Sequence, residues 1–135
     1  MSETKIKYEQ LNTGFEFTPS VIKIDEQTVA AYKKAVEIDD PLFKERQIVP
    51  PMAIAALAMR AMAERFELLP GTVHTSQQLE FLNTVDIGET LTSLARVNRK
   101  IVRGKFHMLN IGIKVVNQKE IPVLTGEIGF ILPLS

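Results

Sequence analysis

Residues 50–69 read PPMAIAALAMRAMAERFELL, and the opening half of that stretch decides the fold. Pro51 suits a helix start, because proline at the first helical position gives up an N–H that has no intrahelical partner anyway. From Met52 to Met59 every residue is Met, Ala, Ile or Leu. A helix that is apolar around its whole circumference belongs inside a protein, not on its surface. Arg60, Glu64, Arg65 and Glu67 return the chain to water, and Pro70-Gly71 stops the helix. A buried helix in a chain of 135 residues has to be wrapped by the rest of it.

The residues downstream supply the wrapper. Thr72–Leu82, Glu89–Val102, Lys105–Asn117 and Ile121–Leu132 read as extended segments, with turns at Arg103-Gly104 and Asn117-Gln118-Lys119-Glu120. Leu109, Ile111, Ile113 and Val115 alternate with Asn110, Gly112, Lys114 and Val116, which gives one face of the strand to the core. Strands this long exceed the usual five or six residues and must curve. Upstream, Val21–Ile24 is a short extended stretch and Asp25 is an N-cap. Val29, Tyr32 and Val36 then mark one face of a helix over about 26–36, with Lys33 and Lys34 on its wet side. The fold class is therefore α+β, a curved antiparallel sheet wrapped around one buried central helix.

Composition narrows the function. A 45% hydrophobic, 24% charged chain of this length is one domain, 1–135, with about the first 15 residues expected to be loosely ordered. Sixteen basic residues offset sixteen acidic ones, so no net field attracts nucleic acid or anionic membrane. The absence of cysteine removes disulfides, thiol nucleophiles and zinc–thiolate sites, and two histidines offer few metal ligands. No metal and no cofactor are expected. The polar, mixed-charge first twenty residues carry no secretory signal, and the apolar run Met52–Met59 is too short to cross a bilayer. A cytoplasmic protein is the expectation.

The segment 69–97, LPGTVHTSQQLEFLNTVDIGETLTSLARV, resembles the second half of the MaoC-like hot-dog proteins, the family of (R)-specific enoyl-CoA hydratases and acyl dehydratases. The similarity also takes in Asp40-Pro41-Leu42, Val49-Pro50-Pro51-Met52 and Val115-Val116-Asn117-Gln118, and spans about Val21 to Pro133. It implies a single hot-dog domain, a role in lipid metabolism and an acyl thioester ligand. The acyl group would be carried by coenzyme A or by a carrier protein.

The resemblance also implies where chemistry should sit, and this chain departs from the pattern there. Active members carry Asp-x-Asn-Pro-x-His, whose Asp and His hold the reacting water. Aligned on Pro41, those positions are Ile38 and Phe43, with Asp40 at the Asn position. Neither Ile38 nor Phe43 can take a proton, as general base catalysis requires. Neighbouring Asp39 is a candidate base only after a shift of register. Active members also begin the central helix with His-Gly, whose Gly N–H faces the thioester oxygen. Here Pro50-Pro51 stands in its place, and proline has no N–H to give.

No catalytic residue is therefore assigned. Asp40, Leu42, Phe43, Pro50, Pro51 and Met52 are expected to line the acyl site, a role requiring shape and no proton chemistry. In the basic stretch Arg96–Lys105, the residues Arg99, Lys100 and Arg103 are candidate contacts for coenzyme A phosphates, against a solvated hairpin tip as the alternative. His74 is read as a surface or core-edge histidine and His107 as a cap on the core face. Glu64 and Glu80 are read as wet-face residues. The resemblance points to a degenerate member, the non-catalytic subunit of an enoyl hydratase or dehydratase assembly. It would form a homodimer or a heteromer with a catalytic hot-dog protein. The alternative is a self-sufficient hydratase with relocated groups, or a hot-dog thioesterase.

Overall fold

The computed structural model describes residues 5–35, 48–67 and 69–133. After a short 3-10 turn at Tyr8–Gln10 come β1 (Ser20–Lys23), α1 (Glu26–Ala35), α2 (Pro51–Ala63), β2 (Val73–Phe81), β3 (Thr90–Arg103), β4 (Phe106–Val116) and β5 (Pro122–Pro133). The five strands form one sheet in the order β1-β3-β4-β5-β2, antiparallel throughout. Asp25 caps α1 as its sequence suggests, its Oδ1 accepting the Thr28 N–H at 2.7 Å. The β3–β4 hairpin closes through Gly104-Lys105, with Gly104 at φ 58°. A glycine at the first position of a two-residue loop gives a turn whose twist matches the strands it joins.

One face of the sheet is buried and the other is open. Leu91, Val97, Leu109, Ile111, Ile113, Val115, Leu124, Ile128 and Leu132 are all 4% exposed or less, and α2 lies over them with Ala53, Ile54, Ala55, Ala58 and Met62 buried. A curved antiparallel sheet around a central helix is the hot-dog architecture, α+β. Bulges at Asn98 in β3 and Thr75 in β2 help the long strands bend.

Three expectations need correction. The central helix is not buried all round: Met52 and Ala56 are exposed and Leu57 only half-buried, because the sheet covers one side of it. The helix also ends at Ala63, well before Pro70-Gly71. Phe66, 1% exposed, has turned into the core and forms a bridge with Ile6. Finally, residues 5–15 are packed where a loose segment was expected. Tyr8 is 5% and Leu11 0% exposed, and Phe15–Phe17 bonds to Ala95 and Val97, which extends the β1 edge along β3. Ordering this segment is worth its entropy because it closes the end of the core that α2 leaves open.

The helix start as a candidate functional site

Two short connections position the start of α2. The Val49 N–H donates to Val85 O at 2.8 Å, and Ile48 bridges Asp86. The turn Asp86–Glu89 is itself held from two sides. The Glu89 carboxylate accepts the Asp86 N–H at 2.6 Å and the Gln118 amide at 3.2 Å. Gly88 N–H donates to Ile24 O and Ile24 N–H to Glu89 O, so the β1–α1 corner is tied to the same turn. Asp86 and Glu89 are therefore acids tied, among the described residues, to the segment that leads into the helix, and the sequence reading passed over both as site residues. Their visible work is to hold this turn.

At the site itself, Pro50 is buried with φ −56° and ψ 133°, and Pro51 occupies the first helical position. The Ala53 N–H is spent on Pro50 O at 2.9 Å. A helix N-terminus ordinarily offers several free donors to an anion. Here one is missing from Pro51 and another is occupied. Met52 projects from this end with 48% of its surface exposed.

One turn further on, Ala53, Ala56, Leu57 and Arg60 of α2 face Val29 and Tyr32 of α1 across a groove of about 470 Å³. The small side chains Ala53 and Ala56 open it, a signal that was present in the helix sequence. Its walls are largely apolar, with Gln27, Thr28, Tyr32 and Arg60 as the polar additions. The arrangement can hold an apolar chain. Among the described residues, no Asp, Glu or His lines it.

The remaining candidates are dispersed. Ile38, Asp39, Asp40, Leu42 and Phe43 lie outside the described residues. His107 faces inward at the far end of β4, where its Nδ1 meets the Tyr8 hydroxyl and the rings sit 5.1 Å apart. His74 is exposed on β2, with Nε2 3.0 Å from Ser76 O and its ring against Phe130. Glu64 and Glu80 are exposed, Glu64 paired with Arg60 at 3.4 Å. Among the described residues no cluster of three or more His, Cys, Asp and Glu could hold a metal ion.

The basic stretch is split by a bulge. Val97 pairs with Ile111 and Arg99 with Asn110, leaving Asn98 as the extra residue. Beyond it the alternation inverts, so Lys100 opposes buried Leu109 and points inward, while Arg99 and Arg103 are exposed on the outer face. The Lys100 amine donates to Tyr8 O at 3.3 Å and sits 4.1 Å over the Tyr8 ring. Burial pulls its pKa below the usual lysine value, with Glu9 opposing. Arg103 also stands at the opposite end of β3 from the α2 start. That strand is fourteen residues long, roughly 40 Å at about 3.3 Å per residue. Within one protomer, these residues do not converge on Pro50–Met52.

The model of the FAS1-like dehydratase domain region matches residues 12–126. No relative among curated proteins matches the chain. Solved structures do. An R-hydratase from Pseudomonas aeruginosa in its unliganded form is 25% identical with a TM-score of 0.80, over 97% of this chain and 88% of that one. The monoamine oxidase regulatory protein of Archaeoglobus fulgidus superposes with a TM-score of 0.82 at 17% identity, covering 100% of this chain and 99% of its own. The C-terminally truncated HadBC complex of Mycobacterium tuberculosis, a 3R-hydroxyacyl-ACP dehydratase, gives a TM-score of 0.75 at 16% identity, over 89% of this chain and 96% of that one.

Proposed function

The chain belongs to the FAS1-like dehydratase domain family, and from that premise we propose that it binds an acyl thioester without transforming it, as the non-catalytic subunit of an enoyl hydratase or dehydratase assembly. The observation that carries this reading is the start of α2. Pro51 stands at the first helical position, where an active site of this kind needs a backbone donor for the thioester oxygen. Losing one such donor costs about a hundredfold or more in rate. The substitutions Ile38 and Phe43 remove the proton-transfer groups at the level of sequence.

What remains suits binding. The acyl chain would enter past Met52 and Pro51, with Asp40, Leu42 and Phe43 completing the wall, and lie along the apolar groove between α1 and α2. The partner would be a second copy or a catalytic hot-dog protein that retains Asp-x-Asn-Pro-x-His. Strand β2 favours such pairing: it is one of the two edge strands of the sheet, and all of its nine residues but Leu79 are exposed. An antiparallel join at β2 reverses the partner's strands. Its hairpin tip, with Arg99 and Arg103, then lies toward the end of the sheet where this chain's helix begins. Arg99 and Arg103 face away from the helix layer, so coenzyme A phosphates would reach the partner's copies of them by passing round the end of the joined sheet, with the cytoplasm as the working compartment. Among the described residues no helix is long and apolar enough to cross a membrane.

Co-expression with a hot-dog protein that keeps Asp-x-Asn-Pro-x-His tests the assignment. The expected result is a mixed assembly that hydrates an enoyl thioester, with Met52→Arg weakening thioester binding at least tenfold. A catalytic protein that is fully active alone and never co-purifies with this chain would remove the role.

A further inference from the structure

Between Thr90 and Lys119 the chain carries seven of its sixteen Lys and Arg residues and none of its sixteen Asp and Glu residues. The stretch is the β3–β4 hairpin and the first residues of the turn that follows it, with Glu89 before it and Glu120 after it. A neutral protein has thus concentrated its positive charge on one supersecondary element, away from the α2 start. Arg96, Arg99, Arg103 and Lys114 all stand on the outer, uncovered face of the sheet. Among the described residues, no carboxylate lies within ion-pairing distance of them.

The same face contains a concavity. Leu94 pairs with Lys114 and Arg96 with Gly112, and around these four lies a bowl of about 420 Å³. Gly112 leaves it open, and the Asn98 side chain overhangs that glycine. Leu94, 38% exposed, gives the bowl its apolar surface. Arg96 and Lys114 flank it, and Glu16 on the neighbouring segment contributes its one acid. Glu16 stands opposite Arg96 and Glu127 opposite Gly112, with Glu80 farther out on β2, so the positive excess of the outer face rests on Arg99, Arg103 and Lys114 together with Arg96.

We propose that this outer face of the β3–β4 hairpin docks an acidic protein, one that sets an apolar side chain into the bowl with carboxylates placed against Arg96 and Lys114. The combination of pit and flanking cations selects this occupant. A central apolar anchor in a pocket, rimmed by complementary charge, is how protein interfaces concentrate their binding energy. An anionic bilayer is met by protruding apolar side chains instead, and single-stranded nucleic acid by aromatic stacking platforms. The bowl itself has neither; the exposed Phe106 and Met108 stand on the same face nearer the hairpin tip, and the vesicle and oligonucleotide arms of the experiment test them. The inference does not depend on the acyl-binding role, because the bowl and the α2 start lie on opposite sides of the sheet.

A fluorescent amphipathic peptide of about twenty residues, rich in Glu with Leu along one face, is the probe. Anisotropy is measured at 50 and 200 mM salt against the full chain, Arg96→Glu/Lys114→Glu and Leu94→Asp. Parallel arms use phosphatidylglycerol-containing vesicles, a single-stranded oligonucleotide and an equally charged peptide without leucine. Saturable binding that weakens at least tenfold in both variants, and at least fivefold without the leucines, is expected. Circular dichroism shows whether the variants keep the fold. Equal binding by Arg96→Glu/Lys114→Glu, or stronger binding of vesicles or oligonucleotide than of the peptide, would overturn the proposal. So would no peptide binding even at 50 mM salt.

Discussion

Replacing Ile54 by alanine should destabilise the protein several times more than replacing Leu57, although the two side chains are similar in size and three residues apart on α2. Ile54 is 2% exposed, packed under the sheet, whereas Leu57 is half-buried and lines the groove with α1. Truncating Ile54 removes three carbons, about 2.4 kcal/mol at about 0.8 kcal/mol per buried methylene. A residual cavity of roughly 50 Å³ at about 24 cal/mol per Å³ adds about 1.2 kcal/mol. The sum is about 3.5 kcal/mol. Leu57 opens onto solvent, so its truncation leaves no closed cavity and loses about half the transfer term, about 1 kcal/mol. Urea denaturation followed by circular dichroism gives both values, provided the slopes stay equal. Losses that are equal, or larger at Leu57, would show that the sheet does not cover the Ile54 side of α2.

Other perturbations read different parts of the structure. Asp25→Ala should destabilise at pH 7, because Asp25 loses its cap on the Thr28 N–H, the bond that holds its carboxyl below the ordinary value of 3.8. A depressed folded pKa contributes stability above the unfolded value and loses it as pH falls, so the gap from wild type should narrow in acid titration of the urea midpoint. Tyr8→Phe should cost about 1–2 kcal/mol in the same assay, since His107 Nδ1 loses its hydroxyl partner in a part-buried site. Asn110→Val should be neutral or raise stability by up to about 1 kcal/mol, as the Asn110 Oδ1 is buried without a partner and a β-branched residue suits a strand.

The sheet was legible because its signals are local. Alternation in Leu109–Val115, the Gly104 turn and the Asn117–Glu120 turn each act over a few residues, and every strand lies within about two residues of its expected limits. The helix was legible as apolar and central but not in its facing. Ala and Met fit a buried or an open side equally well, so Met52, Ala56 and Leu57 could not be told from Ile54. Lys100 was misgrouped for another reason. One extra residue at Asn98 inverts every side chain that follows, and nothing in the sequence marks a bulge there. The packing of the N-terminal segment is a long-range event, with Tyr8 closed against Lys100 and His107 and Gly14 and Phe15 bonded to Val97, and no local pattern announces it. At the candidate site, Pro51 was readable since its missing N–H is a property of the residue. The groove between α1 and α2 was signalled only by the small Ala53 and Ala56 on the helix, because its shape arises from how two helices meet.

The central claim is that this chain holds an acyl thioester and does no chemistry on it. The direct measurement is hydration of crotonyl-CoA by the isolated protein, alongside calorimetric titration of a saturated acyl-CoA, with Pro51→Gly as the companion variant. The account predicts saturable binding with turnover indistinguishable from the protein-free reaction. Pro51→Gly should remain inactive, because a restored backbone donor still lacks a proton-transfer group at positions 38 and 43. Turnover of even about 1 per second, the lower end of ordinary enzyme rates, would contradict it, and loss of that turnover in Asp39→Asn would identify the base.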